Sequence, residues 1–124
     1  MQDFKKLDAW QVAHRLRCQV YDIIAGFPRE ELYGLRSQTT RAAGSIAANI
    51  AEGCGRNGDR EFARFLDIAM GSATELECHL LCAKDRGFVS AATVEPFLEE
   101  LDRLQRVISG LTRAIRSSPR AHRR

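Results

Sequence analysis

The sequence predicts an all-α fold: an antiparallel up-down-up-down bundle of four helices in one domain. Three observations lead there. Apolar residues return at spacings of three and four over four long stretches, the period of an amphipathic helix. Only three prolines occur, and the glycine-rich breaks fall between the stretches. The stretch Gln38–Gly53 is rich in alanine and carries no charge from Ala42 to Ala51. A surface helix keeps a charged face towards water, so this one is expected to be covered on more than one side. With 124 residues the chain can bury about two-thirds of its unfolded surface.

The elements follow in order. Leu7, Trp10, Ala13, Leu16, Val20 and Ile23/Ile24 make the stripe of a first helix over residues 7–25. Gly26-Phe27-Pro28 ends it, because proline disfavours the α region in the residue before it; Phe27 is expected to fold back onto the core. Glu30-Glu31 opens a second helix at the positive end of its dipole. An irregularity is expected at Tyr33-Gly34-Leu35, and the helix runs to about Glu52. Gly53-Cys54-Gly55 stops it with a left-handed cap, and Asn57 or Asp59 is expected to cap the next helix. The third helix runs from about Asp59 to Lys84 on Phe62, Phe65/Leu66, Ala69, Ala73, Leu76, Leu80 and Ala83, and Arg86-Gly87 closes it. The fourth starts near Ser90 or Thr93. Pro96 is tolerated only in a first turn, which favours Thr93 as the cap. Val94, Phe97/Leu98, Leu101, Leu104, Ile108, Leu111 and Ile115 form its stripe. The bundle domain is expected to span 1–117, and residues 118–124 are expected to form a basic, disordered tail.

The net charge of +3 is unevenly placed. Arg113, Arg116, Arg120, Arg123 and Arg124 lie beyond the last acid, Asp102, which leaves fourteen basic against sixteen acidic groups in residues 1–112. A tail of arginines can contact phosphate or serve only to solubilise, so these five are the candidates for nucleic-acid contact. No apolar run is long enough to span a membrane. Met1-Gln-Asp-Phe-Lys-Lys6 leads into no apolar signal region, and the four cysteines are expected to be reduced in a cytoplasmic protein.

Two helices carry a second face. Gln38, Arg41, Ser45, Asn49 and Glu52 recur at three, four, four and three beside the apolar row of the second helix. Ile68, Ser72, Glu75, His79 and Cys82 do the same on the third. The polar members, Gln38, Arg41, Ser45, Asn49, Glu52, Ser72 and Glu75, read as a hydrogen-bonded seam that fixes register, as an oligomer interface, or as a polar site between two helices. Ala43, Gly44, Ala47, Ala48 and Ala51 would let another helix approach closely. A glutamate at Ala47 or Ala48 is therefore expected to dissociate an oligomer and keep the helix, whereas Ile46→Asp is expected to unfold the bundle.

Catalytic and metal chemistry lack their residue sets. A di-iron bundle needs Glu-x-x-His on two helices; Glu75 and His79 are four apart, with no second such pair. Cys78, His79 and Cys82 could offer zinc three ligands, but no fourth is evident, and buried apolar cysteines are expected. There is no Gly-x-Ser-x-Gly motif and no phosphate loop of Walker type. His14 and His122 are expected at the surface. No catalytic residue, metal or cofactor is assigned, no small-molecule substrate is evident, and the chain is expected not to be an enzyme.

These residues also carry a likeness. Leu7-x-x-Trp10 is followed by Phe27-Pro28-x-x-Glu31-x-Tyr33-Gly34-Leu35-x-x-Gln38. Then come Arg41-Ala42-x-x-Ser45-Ile46-x-x-Asn49-Ile50-Ala51-Glu52-Gly53 and Glu61-Phe62-x-x-Phe65-Leu66-x-Ile68-Ala69-x-Gly71-Ser72-x-x-Glu75. Over about residues 4–112 the chain resembles the four-helix-bundle proteins known as rRNA-intervening-sequence proteins, first noticed as reading frames inserted in bacterial large-subunit ribosomal RNA genes. The resemblance implies an antiparallel bundle assembling into a ring-like homopentamer, with no established enzymatic activity. A related group, the accessory variability proteins of diversity-generating retroelements, is similar in fold and binds nucleic acid. The functional expectation is an oligomeric scaffold or interaction module, with a nucleic-acid-binding accessory protein as the alternative.

Overall fold

The computed structural model describes residues 3–118. Four α-helices account for most of it: α1 (Asp8–Ile24), α2 (Leu35–Cys54), α3 (Asp59–Asp85) and α4 (Ala91–Arg116), with 3₁₀ turns at Phe4–Lys6 and Arg29–Glu31. No strand occurs among the described residues. The helices pack around one core: α1 lies against α2 and α4, and α3 lies against α2 and α4. The contact between α2 and α3 is the most extensive. Phe27, buried in the connection after α1, meets Phe88, in the connection after α3, with ring centroids 5.9 Å apart. Those two connections therefore share one end of the bundle. The connection between α2 and α3 shares the other end with Leu7, Leu111 and Ile115, which line a cleft of about 370 Å³ with it.

The expected stripes make this core. Leu16, Val20, Ile46, Ile50, Leu66, Leu76, Leu80, Val94, Leu101, Leu104 and Ile108 are fully buried. Each such side chain stabilises the fold by roughly 1.5–3 kcal/mol relative to exposure. Two threonines join them without an unpaired hydroxyl. Thr39 Oγ1 donates to Leu35 O at 2.6 Å, and Thr112 Oγ1 donates to Ile108 O at 2.8 Å.

The structure corrects several local expectations. Glu30-Glu31 does not open α2; it belongs to the separate 3₁₀ turn. Glu31 still serves the helix, since its Oε1 accepts from the orphan amide of Leu35 at 3.2 Å. Neither Asn57 nor Asp59 caps α3. Gly58 takes that position at φ 88°, with no side-chain cap, and Asp59 becomes the first helical residue. Ser90, not Thr93, caps α4: its Oγ accepts from Thr93 N at 3.2 Å. Pro96 consequently sits inside the helix rather than in its first turn, on the solvent side. There water can bond the carbonyl that the missing N–H leaves free. α3 ends at Gly87, φ 77°, where Phe88 N donates to Ala83 O and Gly87 N to Lys84 O, the pair of bonds of a Schellman motif.

Gly53 is the most informative correction. It lies within α2, and the capping residue Gly55 has φ −86°, so no left-handed cap ends the helix. Gly53 is needed for space instead. A Cβ there would stand 2.7 Å from Phe65 Cβ and 3.1 Å from a Phe62 ring carbon. Ala47, expected on an outer face, is 3% exposed and belongs to the core, while Ala48 next to it is exposed. Glycine-to-alanine changes should therefore take opposite signs. Gly53→Ala forces two backbones apart, costing about 1–3 kcal/mol. Gly110→Ala enters open space inside α4 and should gain roughly 0.5–1 kcal/mol from helix propensity. Thermal melts that move in the same direction for both variants would refute this account of Gly53.

Candidate interaction surface

The polar rows of α2 and α3 do meet. Ser45 Oγ and Ser72 Oγ share a hydrogen bond of 2.7 Å across the two helices, where hydroxyls this short reach each other only if the backbones are close. Asn49 Nδ2 donates to Ser45 O at 2.8 Å and to Ser45 Oγ at 3.0 Å. One helical turn along, the Arg41 guanidinium donates to Gln38 Oε1 at 2.9 Å and forms an ion pair with Glu75. His79 Nε2 lies 3.0 Å from Glu75 Oε2 and donates to it. Six of the seven seam residues thus form two connected groups. Glu52 does not join them; it is exposed and pairs with Arg56 at 2.9 Å on its own helix.

These contacts set the charge state of Glu75. The hydrogen bond from His79 holds its carboxyl below the usual carboxylate range. Partial burial opposes this, and the charge of Arg41 adds to it. A carboxyl lowered in the folded state stabilises the fold above the ordinary carboxylate range, and that contribution is lost as the pH falls through the lowered value. Glu75→Gln should therefore be less stable than the wild type at about pH 7. The gap should close towards about pH 3, below the ordinary carboxylate value. Denaturant midpoints of both proteins at the two pH values check this; a gap that is constant or widens in acid contradicts it.

The sulfur and imidazole groups are dispersed. Cys78 and Cys82 are exposed, against the expectation that they are buried, because they fall on the side of α3 away from Leu76, Leu80 and Ala83. Cys54 is the buried cysteine; burial first, then the charge of Asp3, pushes its thiol up, which disfavours the reactive thiolate. His14 is exposed and stacks on Trp10 at 4.7 Å, and its Nε2 lies 3.9 Å from Cys18 Sγ. Among the described residues no three His, Cys, Asp or Glu side chains gather as a metal site requires.

The candidate arginines divide. Arg116 forms an ion pair with Asp67 that ties the end of α4 to α3. Arg113 is exposed on α4. Arg120, Arg123 and Arg124, like His122, lie outside the described residues, as does the expected tail beyond Ser118.

Two arginines outside the expected set stand out in the structure. Arg36, the second residue of α2, lines a shallow cleft of about 330 Å³ with Ile24, Leu32, Ser37, Thr40 and Arg41. Its Nε is buried and has no hydrogen-bond partner. Arg17 on α1 lays its guanidinium across Gly44, 3.2 Å from where a Cβ would stand. A usable signal for Arg36 did exist. A cation in the first turn of a helix opposes the dipole, and the chain places one there with no acid in that turn.

Fold and surface together define a four-helix-bundle protein with a hydrogen-bonded polar seam between two of its helices. Residues 5–110 match the model of the 23S rRNA-intervening sequence protein family, and the chain belongs to that family. No curated protein matches it. Among the described residues, no helix is long and apolar enough to cross a membrane.

Proposed function

We propose that the chain is a non-enzymatic, cytoplasmic scaffold or interaction module: an antiparallel up-down-up-down bundle whose copies close into a ring-like homopentamer. The antiparallel order is supported by the partners across α2 and α3. As the number rises through Arg41, Ser45 and Gly53 on one helix, it falls through Glu75, Ser72 and Phe65 on the other. The copy number of five rests on the family resemblance.

The observation that carries the reading is the outer face of α2. Ser37, Arg41, Gly44 and Ala48 recur at four, three and four on one side of the helix, and none of them is buried. From Ala42 to Ala51 that face offers no charge of its own to solvent. The charges on this side are Arg41, which is paired with Glu75, and the Arg17 guanidinium laid across Gly44. A lone domain gains little from small exposed residues such as Ser37 and Ala48, whereas a second copy can approach them closely. Light scattering after size exclusion should give a mass that is a multiple of 13.9 kDa. Ala48→Glu should lower that mass with the helical circular dichroism kept. Ala47→Glu should instead lose the helix signal, since it buries an unpaired charge. A wild-type protein that runs as a single chain at micromolar concentration would overturn the oligomer reading.

A further inference from the structure

The Arg36 side chain is hard to account for within one chain. Its Nε is buried without a partner, and no carboxylate pairs with it among the described residues. Arg17, half-buried beside Gly44, makes no ion pair there either. A half-buried guanidinium gains from a carboxylate partner, and a group outside the fold can supply one. Around Arg36 the cleft is apolar on one side, through Ile24 and Leu32, and Leu32 is 46% exposed. Tyr33, next in the chain, is 91% exposed.

The complement lies on α4. A second open cleft, about 500 Å³, is lined by Glu95, Leu98, Glu99, Asp102 and Arg103. Glu95 is held by Lys84 at 3.3 Å and Asp102 by Arg106 at 2.9 Å. Glu99 is exposed and has no ion-pair partner among the described residues. It stands beside Leu98, which is half-buried. Each surface thus joins an apolar side chain to an uncompensated charge, and the two charges are of opposite sign.

We propose that the Arg36 cleft of one copy docks on the Glu99 surface of the next, with Arg36 pairing with Glu99 and Leu32 lying against Leu98. This deepens the oligomer reading and rests on it. The two surfaces differ, so the contact is heterologous, and repeating it yields a ring when the rotation closes. It is continuous with the outer face of α2, since Ser37 and Arg41 belong to both. Docking gives the Arg36 guanidinium the carboxylate it lacks. It also covers Leu32, which is exposed in the single chain.

The test is a charge exchange read by mass in solution. Arg36→Glu and Glu99→Arg should each reduce the wild-type multiple to 13.9 kDa, and the double variant should restore it. Glu99 is exposed, so its variant folds even where Arg36→Glu does not; circular dichroism monitors both. A wild-type oligomer whose mass survives both single changes, or a double variant that stays dissociated, overturns this docking and leaves the oligomer reading standing. A wild type that is itself a single chain overturns both. Two other occupants are read in the same experiment. If Arg36→Glu keeps its mass but loses binding of a single-stranded RNA oligonucleotide at low salt, the cleft holds phosphate and the docking is wrong. If a chain ending at Ser118 dissociates and Arg36→Glu does not, the arginine tail of a neighbour occupies the Glu99 surface instead.

Discussion

The close approach of α2 to α3 is the constraint on which the rest of this molecule depends. At Gly53 the two helices are near enough that one methyl group would meet the Cβ of Phe65. Ala42, Ala43, Ala69 and Ala73 keep the remaining buried surface of the pair small. Short side chains cost little conformational entropy to bury, but each also contributes little transfer energy. The pair therefore relies on dense packing along a long contact more than on the size of any one residue.

That proximity makes the seam possible. A direct bond between Ser45 and Ser72 requires hydroxyls with almost no reach to span the gap between helices. With longer separations the same residues would face water. The arrangement is also directional. The Ser45–Ser72–Asn49 group sits one turn from the Arg41–Glu75–His79 group, so sliding α2 along α3 by a turn would bring serines opposite charged partners and leave both groups unpaired. Buried or half-buried polar groups are costly when unmatched. The seam thus penalises wrong registers in a helix pair whose alanine-rich core discriminates weakly between them.

Most of the fold was legible in the sequence because the stripes of α1, α3 and α4 use large side chains at regular spacing, where periodicity and burial coincide. The seam was legible for the same reason: its members share one helical face. What was not legible depends on where a neighbouring element sits. Gly53 looks like a cap by its position near a helix end, and only the location of Phe65 shows that space is its role. Ala47 and Ala48 are chemically identical, so their opposite fates depend on how α2 is rotated about its axis. Cys82 lies between Leu81 and Ala83 and Cys78 between Glu77 and His79, yet both are exposed on the outer side of α3. Pro96 points to Thr93 as the cap of α4, but the Ser90 hydroxyl decides where the helix starts. An exposed carbonyl costs less than an uncapped amide with no other acceptor.

Net charge would suggest that the bundle is electrostatically unremarkable, since residues 1–112 are close to balanced. Its distribution argues otherwise. Among the described residues eight of the sixteen acids form an ion pair, as in Glu61–Arg64, Asp102–Arg106 and Arg116–Asp67. Such exposed pairs are individually weak, so forming them is cheap and easily satisfied. Arg36 differs in its buried Nε, which has no hydrogen-bond partner; its helix begins with no acid of its own, and Glu31 accepts from the Leu35 amide. The Glu31 carboxylate thus serves the first amide of α2 and forms no ion pair with Arg36 among the described residues. The resulting positive charge next to an apolar cleft is a direct consequence of how α2 begins.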